Sequence, residues 1–417
     1  MYPPPTLDQF SLTDYLNEYS GVVKIKRALY IGERCPQLAT TSYSVALEEL
    51  RKNTRNVALY EEVIQRLQQL GVNIAKDIEW VNKTRNENVC MRDEFKTNVT
   101  RAVAQGQKKE SLNAQKDLAH KLSSMGLIDE SVRAWQDARE YCVSIEDQAM
   151  LSIEVARISQ NNGRWMQVGN FAQRTAQTLA KSTNTEIKAE VDVLLMQASI
   201  GEGRWSPAIN SIRTLPYDGT TSSGLFALGA IAPQDIALYG SLAGLASLSR
   251  EKVKKDLIDS PAFGKYLDHM PECRRLLRSF YASKYSECLA HLDNVLSLAA
   301  LDVVLGPHVS KLKTVIRENI VVLYTQPFVS SNLESMAKAL RFDSAQALED
   351  LLVGLIERKL IHARIDGTSG YLVKYVANPR DTALETIGRM SQTLSIQSEL
   401  MLARIKFLEE ETTKSRR

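Results

Sequence analysis

Apolar residues recur at three- and four-residue intervals through most of this chain, the spacing that lines them up along one side of an α-helix. From Thr6 to about Gly71 the series runs through Val45, Leu47 and Leu50, then Leu59, Val63, Ile64, Leu67 and Leu70, with Pro36 and Gly71 as interruptions. Pro3, Pro4 and Pro5 cannot build a helix and predict a mobile tail. Further along, the series repeats itself. GLIDESVRAWQDAREY (126–141), GRWMQVGNFAQRTAQTL (163–179) and GRWSPAINSIRTL (203–215) each begin at a glycine and continue as an amphipathic helix. Each follows another helical run: Leu112 to Ser124, Gln148 to Gln160 and Glu186 to Ile200. The glycines lie about forty residues apart, the length of one helix-turn-helix unit, in which the small residue ends the first helix and the second packs back on it. One pair cannot cover its own apolar face, so the pairs are expected to stack into a right-handed superhelix with an extended groove. SKYSECLAHLDNVL (283–296) reads as a later, degenerate copy.

LPYDGTTSSGL (215–225) is rich in turn formers and is the best linker. The helix after it, Asp235 to Ser249, is apolar or small nearly all round, which predicts an interior position. Near the C-terminus two helices are expected. The first starts at a Ser331/Glu334 capping box and buries Leu333, Met336, Ala337 and Leu340. The second runs from about Ser344 to Lys359 with Leu348, Leu351, Leu352, Leu355 and Ile356 on one face. Then LIHARIDGTSGYLVKY (360–375) switches to alternation: Ile361, Ala363 and Ile365 go out, DGTSG turns, and Leu372 to Val376 return. Helix, helix, strand, turn, strand is the order of a winged helix. After Pro379 a last helix, Thr382 to about Glu411, carries Ile387, Met390, Leu394, Met401, Ile405 and Leu408. It has no evident domain of its own to pack on, so helices of partners are its expected neighbours.

The winged helix raises the question of DNA. A recognition helix needs Arg, Lys, Asn or Gln on its exposed face, whereas Ala345 to Ile356 has no basic residue and offers Glu349 and Asp350, which disfavours nucleic acid. A formal charge of +3 from 52 basic and 49 acidic residues supplies no global field either. The hairpin can instead pair with another sheet, because its outer strand leaves backbone groups unpaired. The basic runs Lys24, Lys26, Arg27 and Arg51, Lys52, Arg55 could meet acidic partners, although such runs are more often solvated faces.

For chemistry the chain offers little. GxxxxGK[ST], GxGxxG, HExxH and GxSxG are all missing. His120, His269, His291, His308 and His362 are isolated, with no His-x-His pair for zinc. The cysteines Cys35, Cys90, Cys142, Cys273 and Cys288 are scattered, as for reduced thiols. No catalytic residue, metal ion or cofactor is assigned. No secretory signal is visible, and Pro233 and Asp235 break the longest apolar tract, so neither secretion nor membrane insertion is expected.

Helical repeats feeding a winged helix resemble the PCI family, shared by scaffolding subunits of the proteasome lid, the COP-nine signalosome and a translation initiation factor. The blocks that carry the resemblance are YSGVVKIKRALYIGERCPQL (19–38), LYEEVIQRL (59–67), DIALYGSLAGLASLSR (235–250), SKYSECLAHLD (283–293), GPHVSKL (306–312) and ALEDLLVGLIERKLIHARID (347–366). The first block sets the signalosome branch apart from the proteasome branch. The resemblance implies an all-α fold: a TPR-like helical-repeat superhelix, then a winged-helix PCI subdomain with a small β-hairpin, then a C-terminal helix. The division expected is an N-terminal helical region (1–105), repeats (106–224), a PCI domain (225–379, its winged helix at about 325–379) and a terminal helix and tail (380–417). It further implies a non-catalytic scaffold in a cytoplasmic and nuclear complex that removes a ubiquitin-like modifier from cullins. Its partners would be other PCI subunits, the metal-binding isopeptidase subunits and cullin-RING ligases. Ile361, Ala363, Ile365, Leu372 and Lys374 of the hairpin and the six apolar residues of the last helix would carry the contacts. A proteasome-lid scaffold, a nucleic-acid-binding winged helix and an unrecognised hydrolase are the competing readings.

Overall fold

A computed structural model describes residues 11–72, 75–179, 185–217, 229, 231–374 and 379–414. The proline-rich start and most of the linker candidate, 218–225, lie outside the described residues. The chain divides into two compact units, Met1–Val321 and Val322–Arg417.

The first unit opens with α1 (Leu12–Asn17), α2 (Gly21–Arg34), α3 (Ala39–Asn53) and α4 (Val57–Gln69). Ser11 and Asn56 cap α1 and α4 with side-chain oxygens that accept backbone N–H bonds. Leu16, Ile25, Ile31, Leu50, Val63 and Leu67 form one core, which Leu301 joins from far along the chain. α5 (Ile78–Ala104) was not evident from periodicity. Only Val81, Thr84 and Ala102 of its 27 residues are buried, so no apolar stripe announces it.

Three helix pairs follow: α6 (Lys108–Ser124) with α7 (Ile128–Ala138), α8 (Ile145–Asn161) with α9 (Trp165–Thr178), and α10 (Thr185–Gly201) with α11 (Trp205–Thr214). Their turns are copies down to individual hydrogen bonds. Gly126, Gly163 and Gly203 adopt φ of +83°, +66° and +74°. The next N–H in each case donates five residues back: Leu127 to Leu122 O at 3.0 Å, Arg164 to Ser159 O at 3.0 Å and Arg204 to Ser199 O at 2.8 Å. This closes the helix end in a left-handed cap that glycine adopts without strain.

α12 (Pro233–Ser247) is buried on every side, as its composition predicts. α13 (Arg250–Val253) runs into a π-helical turn and then α14 (Pro261–Asp268), α15 (Pro271–Tyr281), α16 (Tyr285–Ala299) and α17 (Val309–Thr325). The expected late copy of the repeat is the α15–α16 pair. Ser283 takes φ +59° where the others have glycine, and Lys284 N–H donates to Ser279 O at 3.0 Å.

A buried charged cluster ties the first helices to later ones. Arg27 donates to Asp235 Oδ2 and Asp302 Oδ2, each at 2.8 Å, and its guanidinium lies 4.0 Å from the centre of the Tyr19 ring. Tyr19 and Tyr239 donate their hydroxyls to Asp235 Oδ1 and Asp302 Oδ2. Ala232 N–H donates to Asp235 Oδ2, and Val304 and Leu305 N–H donate to Asp302 Oδ1, so every oxygen of both carboxylates accepts at least one hydrogen bond. Arg27 is therefore unavailable to an acidic partner, contrary to one use suggested by its place in a basic run.

The second unit contains β1 (Ser330–Asn332), α18 (Leu333–Ala339), α19 (Ala345–Glu357), β2 (Ala363–Asp366), β3 (Tyr371–Lys374) and α20 (Pro379–Lys414). Met336, Leu340, Leu348, Leu352 and Leu355 are buried, as the two-helix pattern requires. The cap of α18 is Asn332 rather than Ser331. Asn332 Oδ1 accepts from Glu334 N–H at 2.8 Å and Ser335 N–H at 3.2 Å, while Ser331 is engaged in β1.

Candidate functional site

The hairpin is part of a three-stranded antiparallel sheet in the order β1-β3-β2. β1 was missed in the sequence because three polar residues, Ser-Ser-Asn, carry no alternation. Its presence fills one side of the hairpin and leaves β2 at an edge. Lys374 N–H donates to Val329 O and Leu333 N–H donates to Gly370 O, so even-numbered residues of β3 turn their backbone groups to β1. Tyr371 and Val373 then bond to Asp366 and Arg364, and Ala363 and Ile365 turn their N–H and C=O groups outward. Among the described residues no strand pairs with that edge.

The turn that fixes this register is tight. Asp366 accepts from Thr368 N–H, Thr368 Oγ1 and Ser369 Oγ. The bonds from Ser369 and Thr368 hold its carboxyl down at about 2. Gly370 closes the turn at φ +68°, its N–H donating to Asp366 O at 2.9 Å.

Of the five hairpin residues assigned to partner contact, Ala363, Ile365, Leu372 and Lys374 share one face of the sheet by register, and Ile361 precedes β2. Ile361 and Leu372 are only 6% and 4% exposed, so their side chains belong to the unit's own core. Lys374 Nζ donates to Gln326 O at 2.9 Å. Ala363 lines a narrow cleft with Thr325, Phe328 and Val329, and Ile365 is half-buried. What this edge offers a partner is the backbone of Ala363 and Ile365, flanked on the opposite face by Arg364, Asp366 and Tyr371.

α20 is 36 residues long, about 54 Å at the usual rise. Ile387, Met390, Leu394, Met401, Ile405 and Leu408 all lie on one side of it, each 52–71% exposed. At about 100° per residue Ile396, Leu400 and Phe407 fall on the opposite side, and they are 58–65% exposed. That second stripe could have been found in the sequence from its i, i+4, i+11 spacing. The helix is apolar on one side throughout and on two sides in its last turns.

Elsewhere the candidate groups are occupied locally. Arg51, Lys52 and Arg55 pair with Asp77, Glu48 and Glu87, and Lys24 reaches Asn17 and Glu49. His308 bonds Gly201 O and lies edge-on to Trp205, His120 lies edge-on to Trp135, and His269 meets the Tyr217 hydroxyl. Among the described residues no three His, Cys, Asp or Glu side chains gather as metal ligands, and no helix is long and apolar enough to cross a membrane. Cys273 and Cys288 are buried thiols, both pushed up to about 12 by burial.

Comparison with protein families places these parts in a class. A PCI domain model matches residues 289–375, and a model described as 26S proteasome subunit RPN7 matches residues 77–256. The chain is thus an all-α, helical-repeat protein with a PCI domain that ends in a winged helix. It is 27% identical to COP9 signalosome complex subunit 1 of Arabidopsis thaliana, across 95% of this chain and 89% of that protein. It is 22% identical to COP9 signalosome complex subunit 1b of Drosophila melanogaster across 97% of this chain and 86% of the relative. With subunit 1 of Schizosaccharomyces pombe the figures are 28%, 86% and 83%.

Proposed function

We propose that this chain is a non-catalytic assembly subunit of a COP9 signalosome, joined to sibling PCI subunits through the β2 edge and to partner helices through α20. The observation that carries the reading is α20, whose apolar side chains are more than half exposed along its described length. Stripes of this length on an isolated helix expose far more contiguous apolar surface than a monomer ordinarily leaves in water. In this reading the complex removes a ubiquitin-like modifier from cullins in cytoplasm and nucleus, metal-binding isopeptidase subunits perform the hydrolysis, and cullin-RING ligases are the targets. This chain holds the subunits in place.

Size-exclusion chromatography of the tagged chain with co-purified subunits tests this. Truncation before Pro379 should move the chain out of the large complex; unchanged co-elution would overturn the role of α20. A proteasome-lid subunit is the second reading, favoured by the RPN7 match over residues 77–256. Mass spectrometry of the co-purified proteins separates the two.

A further inference from the structure

The first unit contains a groove of about 300 Å³ between α2 and the turn joining α8 to α9, for which the assembly role gives no use. Its walls are Val23, Leu29, Val303 and Val304, and four side-chain amides, Gln160, Asn161, Asn162 and Gln197, share its polar lining with Lys26, Arg27, Tyr30 and Glu33. Gln160 Nε2 donates to Gln197 Oε1 at 2.7 Å. Whichever way those two amides are turned, one NH₂ group and one oxygen of the pair keep hydrogen-bonding capacity for an occupant.

Lys26 is the charged group of this lining with no counterion among the described residues. Its ammonium donates to a neutral acceptor, Asn162 Oδ1, at 3.1 Å. Glu33, the carboxylate of the lining, is held by Arg66 Nη1 at 2.6 Å. Arg27 turns away to Asp235 and Asp302. Burial accordingly pulls Lys26 down to about 8, and no carboxylate pulls it back.

The geometry points to a peptide site: we infer that the groove binds an extended acidic segment of a partner protein, with an Asp or Glu side chain on Lys26. Side-chain amides match the N–H and C=O of an extended backbone, and the apolar walls take the intervening side chains. A free inorganic anion would satisfy the ammonium and leave amides and walls unmatched. An acidic peptide uses all three features.

Fluorescence polarisation on the full chain tests this with a fluorescein-labelled hexapeptide of alternating Asp and Ala. The matching Asn-Ala peptide and inorganic phosphate are the comparisons. Lys26→Gln, which keeps a donor for Asn162, should weaken the acidic peptide about tenfold, the scale of a charge-assisted bond. Lys24→Gln, whose amine already has Glu49 within 4.0 Å, should change binding less than about twofold. Equal losses in both variants would reduce the effect to general charge attraction and overturn the site. So would equal binding of the Asn-Ala peptide, or displacement by phosphate at matching concentration. A readout independent of the variants is the ε-carbon resonance of Lys26 in lysine-labelled protein. It should titrate near 8 alone and move upward with the acidic peptide, and an unmoved midpoint would overturn the inference.

Discussion

Ser283 occupies a left-handed position that its three counterparts give to glycine, and this identifies a residue that the fold tolerates rather than prefers. Ser283→Gly should raise stability by about 1 kcal/mol in urea or thermal unfolding, by removing the Cβ conflict at positive φ. At Gly163 no atom lies within 4 Å of an added Cβ, so Gly163→Ala should cost only that same backbone strain. Gly126→Ala should cost more, because the Asn56 side chain fills the space. An equal cost at both sites would mean that Asn56 moves aside freely. Arg27 shows a different limit of sequence reading. Read as a member of Lys24, Lys26, Arg27 it looks like surface charge, yet it falls four residues before Ile31, within the buried side of α2. Arg27→Met would leave Asp235 and Asp302 facing each other without a cation and should cost about 3–5 kcal/mol. Burial pushes Asp235 from 3.8 up to about 6 against the pull of Arg27, so between those values the fold holds a proton that the unfolded chain has lost. The stability due to this group is therefore complete below about 4 and is lost as pH rises through about 6. Asp235→Asn should flatten the melting-temperature profile across that window, and an unchanged slope would assign it to other groups.

The helices of the repeats, α12 and the two helices of the winged helix were legible because each buries one regular stripe or, in α12, every side. β1 and α5 were not. A three-residue polar strand has no period to read, and a long helix with few buried residues has no stripe. The missed strand changes the site: with β1 on one side of β3, the hairpin itself keeps one open edge among the described residues, that of β2, where the proposed sibling strand would add, and Ile361 and Leu372 belong to the unit's own core. This geometry separates binding from folding. Ile365 turns its N–H away from β3, so Ile365→Pro should leave the sheet and the helical circular dichroism intact while blocking a strand added at that edge. Assembly that survived the proline would place the sibling contact elsewhere in the unit. On α20 the six-residue stripe was read from the sequence, and the opposite one came from the helix in full. Leu394→Asp with Met401→Asp tests the long stripe, and Leu400→Asp with Phe407→Asp the short one. Since all four side chains are exposed, neither pair should shift the melting of the isolated chain by more than about 0.5 kcal/mol. Each should release a separate helical partner if both sides are covered in the complex.

Two modest contacts in the second unit, an exposed strand edge and an exposed helix, act together only if the same complex engages both. A strand edge of four residues is a small interface by itself. A helix stripe can exchange one amphipathic partner for another. Joined in one chain, the second contact forms at the effective concentration set by the first, and the combination can hold 10²- to 10⁴-fold better than either alone. Complex retention should therefore respond unequally to single and combined changes. Ile365→Pro alone, or the long-stripe pair alone, should speed dissociation little enough to leave part of the chain in the assembled fraction at micromolar concentration. The triple variant should leave none. Sedimentation of the three proteins over a dilution series, with the sibling subunits present, measures this directly. Loss in the triple variant no greater than in the weaker single would mean that one surface carries the whole attachment and that the other is free for a different partner.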